Sequence, residues 1–576
     1  MKNPPAPSDH APGLNVPREH GLLSAFDRRP DRGGSWWGLA LRRRLRAGSP
    51  AERILRLRDE VFREPSCAPA HLLLGRELAS AGRLEEAVFA LRQSALSGRS
   101  WKAWRHLSEV LRQLERHDVA EEAARAALAR RPHDAASLTA LGLVLLERDQ
   151  PADAVRVLRQ AVRHAPRRPA SLAALGRAHL ACGRPLLAWR ALREASGQDP
   201  GDALILCHLA GACEALCRPD AAGALYERAV ALDPELAEAR FGQGLLRLRL
   251  GDFENGWKGY EWRLRLRKMV RRSVGLAHQA RSRWHGEPFP GRSLLVTTEQ
   301  GSGDIFQCVR FLPAVRARGG TVRLVCRPEH RRLFRGQAGV DEIVETRAAG
   351  EGSDLRISLL SVPAALGIGA GDLPGPVPYI HPDPELVRAF AARIAGDRGP
   401  RVGLVWAGNP QHQGDRFRSI AFPALAPLLQ VPGIRFYSLQ KTPATARERV
   451  PASRDQATAG SSLRSLSEHL GDFGDTAAAI ACLDLVISVD TSVAHLAGAM
   501  GARVWTLIPV HSDWRWPLRG SSTPWYPTMT VFRQRRTGNW TGTIDEVAGA
   551  LIRARDEGTF CSSAGKPTTA EKAIGA

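Results

Sequence analysis

The stretch that decides the fold, VISVDTSVAHLAGAMG at residues 486–501, joins an apolar strand directly to a helix of small residues. Three polar residues, Asp490, Thr491 and Ser492, form the junction, and His495 follows one turn later. The start of a helix carries free backbone N–H groups and the positive end of the helix dipole, so it attracts anions, phosphate above all. A hydroxyl that merely caps the helix is the alternative explanation. The stretch therefore predicts a strand–helix unit with either a phosphate site or a simple cap.

Short apolar runs alternate with helical stretches throughout the second half of the sequence. Strands that alternate with helices form parallel sheets with both faces covered. We therefore predict two Rossmann-like α/β units, at 291–398 and 399–556, preceded by a connector at 269–290. The predicted strands are residues 293–299, 321–327, 341–346, 354–360, 401–408, 434–440, 483–489 and 503–509.

Polar or glycine-rich segments follow four of these strands. Ligands of such folds bind beyond the carboxyl ends of the strands, so we expect the segments to converge on one cleft. That convergence favours the phosphate site over the simple cap. The residues are Glu299, Gln300, Gly301, Ser302, Gly303 and Asp304 after the first strand, Gly408, Asn409, Asp415, Arg416, Arg418 and Ser419 in the second unit, Gln440 and Lys441, and finally Asp490, Thr491 and Ser492.

Lys441 is the only lysine between Lys268 and Lys566, in a stretch rich in arginine. A lysine presents a compact point charge, which suits a diphosphate. Chance is the alternative explanation for its position.

The first half repeats with a period of 34 residues, one unit being a residue shorter. Small residues recur in two series, and a large residue and a proline recur between them. The pattern resembles the tetratricopeptide repeat, in which small residues let paired helices pack closely and proline ends the second helix. The positions are Gly75, Ser108, Gly142, Gly176, Ala210 and Gly244; Ala87, Ala120, Ala154, Ala188, Ala222 and Gly256; Leu91, Leu158, Leu192, Tyr226 and Tyr260; and Pro132, Pro166, Pro200 and Pro234.

We therefore predict an all-α repeat solenoid of about six repeats over residues 51–268. Arrays of this kind generally hold peptides or protein segments, although the repeats could instead shape or dimerise the protein. Since each repeat contacts only its neighbours, a fragment ending near Arg265 is expected to fold alone. Residues 1–50 and 557–576 are expected to be mostly disordered.

Composition narrows the class of protein. The net charge is +22, but the positive charge is almost all arginine spread along the 576 residues, so we expect no nucleic-acid partner. No apolar run reaches membrane-spanning length and the N-terminus lacks an apolar signal core, so a cytoplasmic protein without a transmembrane segment is expected. The nine cysteines form no CxxC pair, and Cys207, Cys213 and Cys217 are expected to fill the core rather than bind metal.

Several longer motifs carry a closer resemblance. They are GDFENGWKGYEWR (251–263), EQGSGDIFQCVRFLP (299–313), VGLVWAGNPQHQGDRFRSI (402–420), SLQK (438–441), DFGDTAAAIACLDLVISVDTSVAHLAGAMG (472–501), DWRW (513–516) and PWYPTMTVFRQ (524–534). In order and spacing these motifs resemble the tetratricopeptide-repeat glycosyltransferases of GT-B fold, related to the ADP-heptose:lipopolysaccharide heptosyltransferase family (glycosyltransferase family 9-like).

The resemblance implies a glycosyltransferase that is metal-independent and inverting, with a nucleotide-sugar as substrate and no cofactor. Asp304 occupies the position of the candidate general base. A carboxylate that only caps the helix is an equally good explanation for an aspartate at this position. Thr491 and Ser492 match the diphosphate loop, and Asp490 would hold donor hydroxyls or fix that loop. Arg418 and Lys441 are candidates to neutralise the leaving diphosphate.

Other residues are given weaker roles by the same resemblance. His495 contacts phosphate or sugar, or packs against its own strand. The aromatic cluster of Trp514, Trp516, Trp525 and Tyr526 forms either a cleft wall or a packed anchor. The last helix, near 543–555, is expected to cross back to the first unit. The supporting residues are Glu299, Gln300, Gly301, Gly303, Asn409 and Asp475, of which Asp475 is more simply a helix cap.

The sequence departs from the family pattern at Ser302, Ile305 and Phe306, where Leu, Thr and Ile are expected. Three functions therefore stay open. The first is transfer of a sugar to an acceptor protein presented by the repeats, flagellin-like as in some relatives. The second is a lipopolysaccharide or polysaccharide glycosyltransferase whose repeats serve assembly. The third is a non-catalytic adaptor with a degenerate glycosyltransferase region.

Overall fold

A computed structural model describes residues 49–98, 100–266, 282–345, 352–369, 371, 373, 376–397, 399–412, 414–441 and 463–560. Backbone contacts divide the chain into two compact units, residues 1–144 and residues 145–576. That division does not test the predicted domain boundaries, which stay predictions. Most of the predicted disordered termini, residues 1–48 and 561–576, lies outside the described residues.

The first half of the described chain is all helical, as predicted. Its helices come in pairs that follow the 34-residue period, and a short 3₁₀-helix, Glu261–Arg265, ends the series. The helices are α1 (Pro50–Arg63), α2 (Ala68–Ser80), α3 (Leu84–Ser97), α4 (Trp101–Gln113), α5 (His117–Arg130), α6 (Ala135–Glu147), α7 (Pro151–His164), α8 (Pro169–Ala181), α9 (Pro185–Gln198), α10 (Ala203–Ala215), α11 (Pro219–Leu232), α12 (Ala237–Leu250) and α13 (Phe253–Tyr260).

The small residues of the repeat lie where two helices of a pair touch. A Cβ on Gly75 would stand 2.5 Å from Cγ of Leu91, and one on Gly176 would stand 2.5 Å from Cγ of Leu192. Both leucines are fully buried. The helices pack too closely for a larger residue, which explains the periodic small positions.

The turn between the two helices of each repeat contains one residue with a left-handed backbone. Glycine adopts this conformation freely, whereas other residues adopt it at a cost. The residues are Gly82, Glu115, Asp149, Gly183, Cys217 and Gly251.

The last helix of the series belongs to a core that continues into the second half of the chain. Phe253, Trp257 and Tyr260 of α13 are buried in one cluster with Leu294 and Val296 of the first strand. The end of the repeats and the start of the α/β region are therefore packed together.

The second half contains two parallel sheets, as predicted. The first has the order β3-β2-β1-β4, and the second has the order β10-β9-β8-β5-β6-β7. Two strands were not predicted, namely β7 and β10. The strands are β1 (Ser293–Thr297), β2 (Thr321–Val325), β3 (Glu342–Val344), β4 (Leu355–Ser358), β5 (Arg401–Val405), β6 (Arg435–Ser438), β7 (Leu463–Ser465), β8 (Leu485–Val489), β9 (Val504–Ile508) and β10 (Met529–Arg533).

Helices connect these strands. They are α14 (Ser302–Cys308), α15 (Leu312–Arg316), α16 (Pro328–Arg331), α17 (Val362–Ala365), α18 (Pro384–Ile394), α19 (Asp415–Arg418), α20 (Ala426–Leu429), α21 (Phe473–Ala481), α22 (Ser492–Ala499) and α23 (Thr541–Asp556). Short 3₁₀-helices lie at Val309–Phe311, Leu359–Ser361, Phe422–Leu425 and Ser467–His469. No described helix is both long and apolar enough to cross a membrane.

The C-terminal helix does not follow the prediction that it crosses to the first unit. Ile544, Val547 and Leu551 of α23 pack in the core on one face of the second sheet, with Val402 and Leu404 of β5. Residues just after the helix also depart from the predicted disorder, because Phe560 is buried in that same core. The apolar stripe of α23 is therefore covered by the second sheet.

Candidate functional site

The carboxyl ends of the two sheets meet where the first helices after β1 and β8 touch. A Cβ on Gly303, in α14, would stand 2.7 Å from Cδ2 of His495, in α22. Only a glycine allows this approach, since real Cβ atoms are not found so close to another heavy atom. The structure therefore brings the glycine-rich segment after β1 against the polar junction after β8, as the sequence predicts.

Arg418 links the segment after β5 to the segment after β8. Its Nη1 donates to the backbone oxygen of Asp490 at 2.9 Å, and its Nε donates to Oδ1 of Asp415 at 3.1 Å. Ser419 fixes the same segment, because its hydroxyl accepts from the backbone N–H of Gly408 at 2.9 Å and donates to Asp415 at 2.9 Å. Among the described residues, Nη2 of Arg418 has no hydrogen-bond partner, so those N–H groups are available to an anion.

The side chain of Asp490 lies against His495. Oδ1 of Asp490 is 3.7 Å from Nε2 of His495, and Nδ1 of His495 is 2.9 Å from the hydroxyl of Tyr526. Burial by itself would raise the pKa of Asp490, but the His495 ring and the charge of Arg418 outweigh it, so the pKa lies below its usual value. Asp490 is therefore a carboxylate of intermediate burial, with 13% of its side chain exposed, that is held in its charged form.

The hydroxyls at the start of α22 do not cap the helix. Thr491 is buried, and its Oγ1 is 3.0 Å from Oγ of Ser488 in β8. No side-chain hydrogen bond caps the helix at Thr491, and Ser492 is its first residue. The simple cap proposed for this junction is thus not formed, and the first N–H groups of the helix lack a side-chain acceptor there.

Asp304 has partners on both carboxylate oxygens. Oδ2 accepts from the backbone N–H of Gly301 at 2.8 Å, which is the capping interaction, and Oδ1 accepts from Nη2 of Arg515. Arg515 also donates to Oδ1 of Asp513 at 2.6 Å. Burial lowers the pKa of Arg515, but Asp513 and Asp304 raise it well above its ordinary value, so this guanidinium is permanently charged. Each carboxylate oxygen of Asp304 still has a second lone pair for a proton.

Glu299 and Gln300 are held by the end of the repeats. Oε1 of Glu299 accepts from Nη2 of Arg263 at 2.5 Å, and both side chains are buried. Gln300 has a left-handed backbone, with φ of 61°, and its Nε2 is 3.2 Å from the hydroxyl of Tyr260. Glu299 is therefore a structural ion-pair partner, and Gln300 marks a strained turn of the kind found at functional sites.

Lys441 and Asp475 lie in a second group of contacts. Nζ of Lys441 donates to the backbone oxygen of Gly471 at 2.7 Å. Asp472 is the N-cap of α21, and Asp475 completes the capping box by accepting from the N–H of Asp472 at 3.2 Å. Asp475 also accepts from the N–H of Gly471 at 3.0 Å and pairs with Arg332 at 2.5 Å. Because β5 lies between β8 and β6 in the sheet, Lys441 is separated from Asp490 by one strand. Within the part of the chain that the structure describes, no hydrogen bond or ion pair joins Lys441 to Arg418 or Asp490.

Gln440 and Asn409 have local structural contacts. Oε1 of Gln440 accepts from the N–H of Ala407 at 3.0 Å, which ties the end of β6 to the end of β5. Oδ1 of Asn409 accepts from the N–H of Gln411 at 3.0 Å, which is the hydrogen bond of an Asx turn. Both residues thus shape the segments after the strands.

The aromatic cluster is a packed anchor. All four of its members are buried. The rings of Trp514 and Trp525 pack edge-on against Trp257 of α13, with centroids 5.3 Å and 6.4 Å away. Trp516 stacks on His495 at 5.3 Å. The cluster joins the loop after β9 to the last repeat helix.

Sequence reasoning missed four residues that organise the site, namely Arg263, Arg332, Arg515 and Tyr260. Arg263 and Tyr260 stand in GDFENGWKGYEWR and Arg515 stands in DWRW, but neither motif shows which distant carboxylate or amide its residues contact. An arginine next to a tryptophan was the available signal for Arg263 and Arg515, since a guanidinium buried among aromatic residues requires a partner.

The three departures from the family pattern lie in the packing around α14. Ile305 and Phe306 are fully buried, and Phe306 packs edge-on against Phe473 at 4.9 Å. The hydroxyl of Ser302 is 3.0 Å from Nε2 of His330. These residues therefore change the core beneath the helix rather than the surface that Gly303 and Asp304 present.

Among the described residues, no group of three or more His, Cys, Asp or Glu side chains is placed to hold a metal ion. Cys207 and Cys213 are buried, as expected of core residues, whereas Cys217 is exposed, so the expectation for Cys217 is wrong. Cys217 occupies the left-handed turn position of its repeat, which explains its exposure.

Comparison with protein families matches both halves of the chain. Residues 455–541 match the family described as glycosyltransferase family 9 (heptosyltransferase). Residues 72–135, 139–203 and 214–256 match the tetratricopeptide repeat. The chain therefore resembles tetratricopeptide-repeat proteins in its first half and family 9 glycosyltransferases in its second half. The matched glycosyltransferase segment contains Asp475, Asp490, Thr491, Ser492, His495 and Arg515.

One curated relative is the protein FlbA of Caulobacter vibrioides, 29% identical over 343 residues. The match covers 55% of each chain, so this chain spans about half the length of the curated relative it matches. Among solved structures, the repeat protein TTC0263 of Thermus thermophilus is 21% identical over 32% of this chain and all of that one, with a TM-score of 0.30. The Pseudomonas aeruginosa protein pilF is 20% identical over 36% of this chain and 94% of that one, with the same TM-score. These two likenesses are too weak to bear on function.

Proposed function

We propose that this protein is a glycosyltransferase of GT-B fold that transfers a sugar from a nucleotide-sugar to an acceptor protein held by the repeats. The observation that carries the proposal is the meeting of Gly303 and His495, which sets the segment after β1 opposite the start of α22. The family match over residues 455–541 supports the donor side, and the repeats support a protein acceptor.

The chemistry follows from the residues on the two sides of this contact. Asp304 accepts the proton of the acceptor hydroxyl as that oxygen attacks the anomeric carbon of the donor sugar. The bond from that carbon to the diphosphate breaks, and the leaving diphosphate is neutralised by Arg418 and by the free N–H groups at the start of α22. A single displacement of this kind inverts the anomeric configuration, and none of its steps requires a metal.

A non-catalytic adaptor is the second candidate, and the contacts of Asp304 favour it. Both oxygens of this carboxylate already have partners, Gly301 and Arg515, which is what a purely structural cap shows. A polysaccharide acceptor is a third outcome, since the matched family is described by heptosyl transfer.

The test has two stages. The full chain is first heated with ADP, GDP, UDP or CDP, because a ligand that binds only the folded state raises the melting temperature. Protection by one of them supports the donor site, and protection by none favours the adaptor. Intact-mass spectrometry of proteins captured by the chain, before and after addition of the matching nucleotide-sugars, then tests the acceptor. A mass increase by one sugar residue on a protein supports the proposal, and an increase only on polysaccharide overturns the protein acceptor.

A further inference from the structure

The short helix α19 contacts the repeats on one side. Nη1 of Arg416 pairs with Oδ1 of Asp149 at 3.0 Å, and Nη2 of Arg416 donates to the backbone oxygen of Ala181 at 2.8 Å. Asp149 is the left-handed residue in the turn between α6 and α7. A single guanidinium therefore binds two consecutive repeats.

Phe417 makes the closest of these contacts. It lies against Gly183, the left-handed residue of the turn between α8 and α9. A Cβ on Gly183 would stand 2.7 Å from Cε1 of Phe417. The repeat turn and the phenyl ring are thus in contact, with no space for even one added carbon.

The same helix contacts the candidate donor site on its other side. The next residue, Arg418, donates to the backbone oxygen of Asp490, and Ser419 accepts from the N–H of Gly408. Arg416, Phe417 and Arg418 are consecutive residues of a single helical turn, so a displacement of Phe417 also displaces Arg418. A helix of four residues has no independent stability, and its position is set by the groups packed against it.

We propose that the repeat turns at Asp149 and Gly183 position Arg418 for the diphosphate of the donor, so that the repeats form part of the nucleotide-sugar site. Asp149, Gly183, Arg416 and Phe417 are positioning residues that act through Arg418. The role of Arg418 in this statement rests on the function proposed above, whereas the positioning itself does not.

The chain offers a matched pair of variants for the test. Gly183 and Gly82 occupy the same turn position in different repeats, with φ of 67° and 76°. An alanine pays the cost of the left-handed backbone at either position, but only at Gly183 does it meet another residue, because nothing lies within 4 Å of a Cβ on Gly82. Any difference between Gly183→Ala and Gly82→Ala therefore reports the contact with Phe417.

Hydrogen–deuterium exchange of the full chain is the first measurement. We expect Gly183→Ala to speed exchange in residues 406–419 several-fold at a temperature where both variants are folded, and Gly82→Ala to leave it unchanged. Arg416→Ala, which adds no bulk, is also expected to speed exchange in these residues. Asp149→Asn is expected to speed it to a smaller extent. If residues 406–419 exchange at the same rate in Gly183→Ala, Gly82→Ala and Arg416→Ala, the proposal that the repeat turns position Arg418 is overturned.

Binding of ADP, GDP, UDP and CDP is the second measurement. We expect Gly183→Ala and Arg416→Ala to lower the affinity for the nucleotide that protects wild type by about tenfold. Loss of one charge-assisted hydrogen bond has an effect of this size. We expect Gly183→Ala combined with Phe417→Leu to recover part of that loss, because the smaller side chain leaves room for the methyl group. If wild type binds none of the four while exchange still responds, the positioning stands and the donor assignment fails. If exchange responds but affinity does not change, the repeats form no part of the nucleotide site.

Discussion

Arg263 and Glu299 form an ion pair that fixes the end of the last repeat to the end of β1. Nη2 of Arg263 lies 2.5 Å from Oε1 of Glu299, with 0% and 2% of the two side chains exposed. Nη2 of Arg263 also donates to the hydroxyl of Ser361 at 2.8 Å, which satisfies part of the buried guanidinium. Loss of one partner of such a pair costs about 3–5 kcal/mol, because the other charge is left buried. The final repeat is therefore a structural component of the α/β region.

This relationship argues for a different prediction from the one above, that a fragment ending near Arg265 folds alone as a helical solenoid. In the fragment 49–266, the buried Phe253, Trp257 and Tyr260 lose the aromatic partners that follow β9. We expect this fragment to bind a hydrophobic dye and to elute as aggregates in size-exclusion chromatography.

The fragment 49–233 is the control, since it ends after α11 and omits these aromatic residues. We expect it to be helical and monomeric, with a cooperative melting curve by circular dichroism. A monomeric 49–266 fragment that melts at a temperature as high as the shorter one contradicts the prediction.

Asp304→Asn separates a base from a cap. If Asp304 accepts a proton, we expect transfer at saturating donor to fall by about a hundredfold to ten-thousandfold, while donor binding survives. If it only caps α14 and pairs with Arg515, we expect a loss of stability with turnover nearly intact. The measurements are the transfer rate and the melting curve of the same preparations.

Asp513→Asn is the matched control for that variant. It removes the other carboxylate bound to Arg515 and leaves Asp304 in place. We expect transfer to fall less than tenfold. Equal losses in the two variants would assign the effect to Arg515 and not to a base at Asp304.

The fold was predictable because it rests on local periodicity. The 34-residue period and the apolar strands each repeat a simple pattern, and both halves are confirmed. The strand β7 was missed because it has only three residues, two of them exposed. The strand β10 was missed because its short apolar pattern follows a loop rich in tryptophan and proline. The prediction that α23 packs against the first unit was wrong, because an apolar stripe on a helix does not specify which sheet covers it.

The candidate site was predictable only in part, for a physical reason. Polar residues after neighbouring parallel strands meet at one edge of their sheet, which follows from topology. The approach of Gly303 to His495 joins two sheets, so it was expected only from the further prediction that both units face one cleft. Topology does not predict which charged side chains pair with one another. Arg515 is 211 residues from Asp304, and Arg332 is 140 residues from Asp472. Such pairs depend on how two separately predicted units pack, which periodicity does not contain.

His330 predicts a pH dependence of stability. The ring is fully buried, stacks on Phe473 at 5.2 Å, and has its pKa lowered to about 4, chiefly by burial. The folded state therefore keeps His330 neutral, whereas the unfolded chain takes up a proton near pH 6.5. This contribution to stability is complete above pH 6.5 and is lost as the pH falls toward 4, by on the order of 3 kcal/mol.

His330→Phe tests that assignment, because phenylalanine retains a ring against Phe473 and cannot be protonated. We expect the free energy of unfolding of wild type to fall more steeply than that of the variant between pH 6.5 and 4.5. Parallel curves would show that His330 does not titrate in this range. The variant also loses the contact with Ser302, which lowers both ends of its curve alike and leaves the slope unaffected.

Lys441→Ala tests whether the isolated lysine belongs to the donor site. Among the described residues its side chain donates a hydrogen bond to the backbone oxygen of Gly471, and one strand separates it from Asp490. If a diphosphate extends from α22 to β6, we expect the variant to reduce the rise in melting temperature given by the protecting nucleotide. The melting temperature without nucleotide is expected to change little, since the residue is exposed.

Lys258→Ala removes the same charge from an exposed position in α13 and is the control. Arg418→Ala is expected to abolish most of the rise, because Arg418 contacts the Asp490 loop directly. An undiminished rise in Lys441→Ala, beside a lost one in Arg418→Ala, would remove Lys441 from the site and limit the diphosphate to the ends of β5 and β8.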